Sequence, residues 1–355
     1  MFKSRTLFVI GAGASCEAGL PSGESLKGKI AQLLDIRFEE GWRQASGDHQ
    51  ITEALRQSVR TNDRAGDINP LLAKAWRIRD VVPAAAISID NFLDAHRGDQ
   101  GMELCGKLGI VKAILDAERG SRLANSERHL SRFNLPDLAG TWYVGFFQML
   151  TENVARDDLS EVFENVSIIT FNYDRCIERF LVQALSDYYE LEEARAQALL
   201  SKLTILHPYG QVGLLPWQER STGIPFGSSS TDLLSAARQI KTFSEGLDDD
   251  DLIISVREEV QAAQTVVFLG FAFHPSNMAL LTPGGECMAR RIFATSLGLS
   301  DADEEVIQED IFRMLGFSHL RVDEQHALSP TFAKVTGGEF FKRYFRSLSA
   351  EVELD

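Results

Sequence analysis

The residues of this chain that can do chemistry fall into a few short clusters. Gly11-Ala12-Gly13-Ala14-Ser15 follows the apolar run Thr6–Ile10. A Gly-x-Gly at a strand end lets main chain approach a diphosphate closely, and N–H groups there can bind the anion. Cys16 stands where the dinucleotide fingerprint has its third Gly or Ala, so that fingerprint is incomplete. Asn172 and Asp174 follow a second apolar run, Val166–Phe171. An amide such as Asn172 donates and accepts without titrating. His207 precedes Pro208-Tyr209-Gly210 and can take a proton near neutral pH. Gly270 and His274 bracket a further turn, and Asp90 lies in Ser88–Leu93. Each has an architectural reading beside the chemical one. The glycines can make a tight strand–helix turn. Asn172 can cap a helix, Asp174 can favour a helix's first turn, and His207 can be a satisfied edge histidine.

The elements that must position these residues alternate. Thr6–Ile10 reads as a strand, and a helix runs from about Glu24 to Asp35 with Ser22 as its N-cap. From Gly41 to Ser160 the apolar spacing is helical, notably over Ile51–Arg60, Leu71–Val81, Glu103–Glu118 and Leu138–Ala155. Strand chemistry returns at Val166–Phe171, Leu203–His207, Thr265–Leu269, Arg291–Ser296 and His319–Val322, with helices between. This order predicts an α/β fold, a Rossmann-like parallel sheet with helices on both faces and a helical insertion. We divide it as 1–40 with 161–330 for the sheet domain, 41–160 for the insertion, and 331–355 for a C-terminal helix, solvated or partner-facing. Ligands of such sheets bind beyond the carboxyl ends of the strands, where the clusters above fall.

Composition excludes several classes. The chain has 355 residues, 44% hydrophobic and 25% charged, which suits a folded globular protein. A net charge of −15 repels phosphate backbones, so direct nucleic-acid binding is not expected. The four cysteines, Cys16, Cys105, Cys176 and Cys287, form no close pair, which argues against a zinc ribbon or a disulfide framework and for reduced thiols in the cytoplasm. No metal site is expected; the run Asp248–Asp251 reads as a solvated lead into a helix. No apolar run reaches membrane-spanning length. Ser228–Ser230 reads as a flexible loop or lid, and Trp142, Tyr143, Phe146 and Phe147 as core.

Taken in order, the clusters carry a resemblance. GAGAS followed by GLPSG resembles the GAGxS…GIP signature of the sirtuin-like family. Thr170–Asp174 resembles its T-x-N-x-D motif. Leu206–Gly210 resembles its L-H-G-x-x-G element, with Pro208 in place of glycine. Gly270–His274 sits where the family has a late glycine-containing strand end, and Ser88–Leu93 resembles a segment of bacterial sirtuin-like defence proteins. The family's Asp-Phe-Arg is replaced by Ser22-Gly23-Glu24, and its four zinc cysteines are absent. These departures place the resemblance nearer the NAD-consuming antiphage branch than the protein deacylases.

The resemblance implies NAD⁺ as substrate and cleavage of its nicotinamide–ribose bond. Asn172 and His207 would be the catalytic pair, Asn172 orienting ribose or water and His207 acting as general base. Gly11, Ala12, Gly13 and Ser15 would cradle the diphosphate, Asp174 would fix the carboxamide, Gly270 would contact the cofactor, Asp90 would line the pocket from the helical insertion, and His274 and Asn277 would contact the adenosine end. It also implies a homo-oligomer and a separate sensing partner, a HerA-type ATPase or an Argonaute-like protein. Two other functions use the same residues: NAD-dependent deacylation or ADP-ribosyl transfer, and a non-catalytic module that binds NAD or ADP-ribose.

Overall fold

A computed structural model describes residues 2–60, 66–125, 132–247 and 249–352. Six strands form one parallel sheet: β1 (Thr6–Ile10), β2 (Val166–Thr170), β3 (Thr204–Leu206), β4 (Thr265–Leu269), β5 (Arg291–Thr295) and β6 (Thr331–Ala333). Their spatial order is β3-β2-β1-β4-β5-β6. β1 lies between β2, with Thr6 opposite Val166, and β4, with Thr6 opposite Thr265. This is the doubly wound Rossmann order, in which the winding reverses between β1 and β4. All residues of β1, β2 and β4 are buried, as expected of a parallel sheet covered on both faces.

The alternation of side chains along β1 divides the core. Leu7 and Val9 join one apolar cluster, and Phe8 and Ile10 the other. The helices between β1 and β2 serve both faces. Those over His49–Ser58, Asn69–Ala85 and most of Gln100–Gly120 build the first cluster. The end of that long helix, at Ala117, and the helix Trp142–Thr151 build the second. Trp142, Tyr143, Phe146 and Phe147 are buried there, as core.

The expected first helix is present over Gly23–Leu34, capped by Ser22, whose hydroxyl accepts from Ser25 N–H. Three differences stand out. An antiparallel hairpin, Arg37–Glu39 with Arg43–Ser46, straddles the start of the stretch expected to be helical, and its half-exposed, charged strands show little apolar alternation. The strand expected at His319–Val322 is instead a 3₁₀ turn, Phe317–His319, followed by the helix Val322–Ala327. The last strand is β6, so the segment after 331 enters the sheet before forming the helix Gly337–Ser349. That helix buries Phe340 and Phe341, and Phe341 stacks on Phe8 of β1. Its basic residues stay outside, Arg343 paired with Glu339.

The loop expected to be flexible is tied down. Arg175 is fully buried and donates to Glu118, to the carbonyls of Gly213 and Pro225, each at 3.2 Å, and to that of Ile224. Glu118 also accepts Gly227 N–H at 2.9 Å, and Ser229 O accepts from Gln50. Ser228–Ser230 is therefore anchored rather than poised as a lid. In the acidic run, Asp249 caps the helix Asp250–Ala262 by accepting Leu252 N–H; Asp248 lies outside the described residues. Among the described residues no helix is long and apolar enough to cross a membrane.

Candidate functional site

A cavity of about 330 Å³ opens above the carboxyl ends of β1, β2 and β4, at the point where the winding reverses. Two glycine turns meet beneath it. Gly11 N–H donates to Leu269 O and Gly13 N–H to Gly270 O, both at 3.0 Å. A methyl group on Gly11 would come within 2.5 Å of Gly270 O, and one on Gly270 within 2.1 Å of Ala14 N. Gly270 also holds φ +58°, a region that favours glycine. The glycines thus serve first to let β1 and β4 close on each other. The N–H groups of Gly11, Gly13 and Ala14 are bonded to protein carbonyls, so the diphosphate cradle expected at Gly11–Ser15 is reduced. Gly11 and Ala12 line the cavity; Gly13, Ser15 and Gly270 do not.

Asn172 lies just after β2 and is buried at the cavity wall. Its Nδ2 donates to Gly11 O at 3.1 Å and to Ser15 Oγ at 2.9 Å. Gly11 O can only accept, so the amide cannot be flipped. Asn172 Oδ1 is left buried without a partner. A buried acceptor in that state costs free energy until something donates to it.

The remaining walls are aromatic and acidic. Phe171 packs edge-on to Tyr209 at 5.5 Å between ring centroids and against Phe271 at 5.2 Å. Tyr209 Oη donates to Asn277 Oδ1 at 2.6 Å. Asp90 accepts from Tyr173 Oη, and burial pushes its carboxyl above the usual range. Asp94, Glu24 and His274 also line the cavity, whose lining includes no Lys or Arg. His274 is the residue preceding the helix Pro275–Leu281. Beside it Phe273 holds φ +52°, a strained conformation for a bulky residue, fixed by packing on Phe268 and Phe271.

Asn172, Asp90, His274 and Asn277 are thus brought together from separate parts of the chain. Asp174 and His207 are not. Asp174 accepts Cys176 N–H at 3.1 Å and starts the helix Cys176–Tyr189; burial raises its carboxyl pKa. Its side chain makes a local turn just ahead of the helix, whose N-cap residue is Arg175. His207 Nδ1 lies 3.2 Å from Asn172 O, and its Nε2 lies 3.0 Å from Glu178 Oε1. The Asn172 carbonyl only accepts, so Nδ1 donates to it, and the Glu178 carboxyl favours a protonated, charged ring at Nε2. Burial opposes that charge, but the Glu178 carboxylate and the Asn172 carbonyl outweigh it and raise the pKa. Both ring nitrogens thus face protein groups, and His207 does not line the cavity that Asn172 lines.

Sequence reasoning missed Phe171, Tyr209, Phe271 and Asp94 as cavity residues. Phe171 and Tyr209 sit inside the two motifs already singled out, where their aromatic type was the available signal. Among the described residues, no group of three or more His, Cys, Asp or Glu could hold a metal ion.

No family model matches the chain, and neither does any curated protein. Among solved structures the chain is similar to a Sir2 homolog–NAD complex, with a TM-score of 0.40 and 12% identity over 98% of this chain and 90% of that one.

Proposed function

We propose that the cavity binds NAD⁺ and that the protein cleaves it to nicotinamide and ADP-ribose. The observation that carries this reading is the unpartnered Asn172 Oδ1 at a cavity on the winding reversal. A ribose hydroxyl supplies the missing donor. The acidic, aromatic lining suits a cationic nicotinamide ring and the positive charge that develops at C1′ when it leaves. In the reaction a water oxygen bonds to C1′ as the C1′–N bond breaks. The electron pair goes to the nicotinamide nitrogen, so that group departs neutral and needs no acid. The water's proton passes to Asp90, whose raised pKa makes it a better base than an ordinary carboxylate. His207 holds the Asn172 main chain and acts as a positioning residue.

The family resemblance extends this reading to NAD depletion in antiphage defence, by a homo-oligomer gated by a separate sensor such as a HerA-type ATPase. Incubation of the purified protein with NAD⁺, alone and with products of neighbouring genes, tests the core proposal. Release of nicotinamide is expected. NAD⁺ that binds but is never cleaved, under any of these conditions, would leave only a binding module. Cleavage that requires an acylated peptide would indicate a deacylase.

A further inference from the structure

A second cavity, of about 560 Å³, lies beside the edge strand β3, between the helix Glu193–Leu200 and the loop from Gln211 to Arg220. It shares no lining residue with the first. Two of its lining side chains are more than nine-tenths buried and hold an oxygen with no partner: Glu178 Oε2 and Gln211 Oε1. Glu178 gives its other oxygen to His207, which lines the same cavity. Trp217 forms part of the wall, and the exposed Arg220 stands at the rim.

Both unpartnered atoms are acceptors, so the missing group is a donor. A buried carboxylate oxygen left bare is costly, and more so than a bare amide oxygen. Trp217 offers an aromatic face of the kind that attracts cations, and the net charge of −15 draws cations toward the surface. We infer that this groove is a second ligand site, one that takes a small organic cation bearing several N–H donors, an ammonium or a guanidinium group, on Glu178 and Gln211. Occupancy is sensed at the first cavity, because Glu178 is bonded to His207 and His207 to the Asn172 carbonyl. The site stands whether or not the first cavity cleaves NAD⁺.

The test uses butylammonium and butylguanidinium as probes, with butanamide as the neutral control, titrated into the full chain without NAD⁺. Binding is followed by NMR on the imidazole resonances of His207. The cations are expected to shift those resonances saturably in the millimolar range, the neutral amide not at all. Gln211→Leu leaves the His207–Glu178 pair intact and should weaken binding about tenfold, equivalent to one lost hydrogen bond to a charged group. Glu178→Gln should weaken it at least as much. The inference is overturned if neither cation shifts His207 up to about 50 mM, well beyond the millimolar range expected. It is overturned equally if butanamide matches the cations, or if Gln211→Leu binds as the parent does.

Discussion

The cavity above β1, β2 and β4 and the groove beside β3 meet at one residue. The Asn172 side chain lines the cavity, while its carbonyl holds His207, which lines the groove. The cavity's neighbourhood is fixed by close backbone contact: two glycine turns lock together, and aromatic rings fill the space around them. The groove is fixed by buried charge: Arg175 and Glu118 tie its loop, and Glu178 holds His207. The contrast teaches that one short motif, Asn172 to Arg175, feeds both regions by different means. Asn172 presents an amide to the cavity, Asp174 starts the helix, and Arg175 clamps the loop.

The comparison breaks first at the clamp. Glu118→Gln leaves the buried Arg175 guanidinium without its counter-charge, and the expected loss is about 3–5 kcal/mol in urea unfolding. A loss under about 1 kcal/mol would mean that the carbonyls of Gly213, Ile224 and Pro225 suffice. Next in size, Asn172→Ala removes the amide from the cavity. Nicotinamide release should fall about 10²- to 10³-fold, the usual cost of one positioned polar group at a reacting centre. An unchanged initial rate would remove Asn172 from the chemistry.

His207→Gln sharpens the distinction between base and positioning residue. As a positioning residue its loss should lower the rate about tenfold, and a loss near 10³-fold would restore the base role. The smallest effect is on pH. The folded state raises the His207 pKa above its ordinary value of 6.5, so the stability it adds is fully present below that value. It is lost as pH rises through the folded pKa. The melting temperature should therefore decline above neutral pH. Part-buried Asp90 and buried Asp174, also raised, act in the same direction from a lower starting pH. The share that disappears in Glu178→Gln belongs to His207, and a slope unchanged in that variant would detach His207 from the effect.

Much of the sheet was legible. β1 and β4 are runs of β-forming residues bounded by glycine or polar turns, and their limits, Thr6–Ile10 and Thr265–Leu269, match the sequence pattern. The weakly patterned elements were not. β6 has three residues and only one is buried, so alternation gave no signal there. The site was legible where side chains face the cavity along the strand ends, as with Asn172 and His274. It was not legible for His207, whose direction depends on a carboxylate at Glu178 with no motif of its own.

The sequence alone determined the central strands β1, β2 and β4, where the chain turns at their ends, and that polar groups gather there, because glycine freedom and apolar periodicity act locally. Only the tertiary structure decided what those groups face. Gly13 N–H is spent on Gly270 O, 257 residues away in the chain, and the His207 ring is turned by Glu178 toward the groove. Hydrogen-bond partners of buried polar groups are chosen by proximity in the folded state, and that proximity is set by the order β3-β2-β1-β4-β5-β6, which no local pattern encodes.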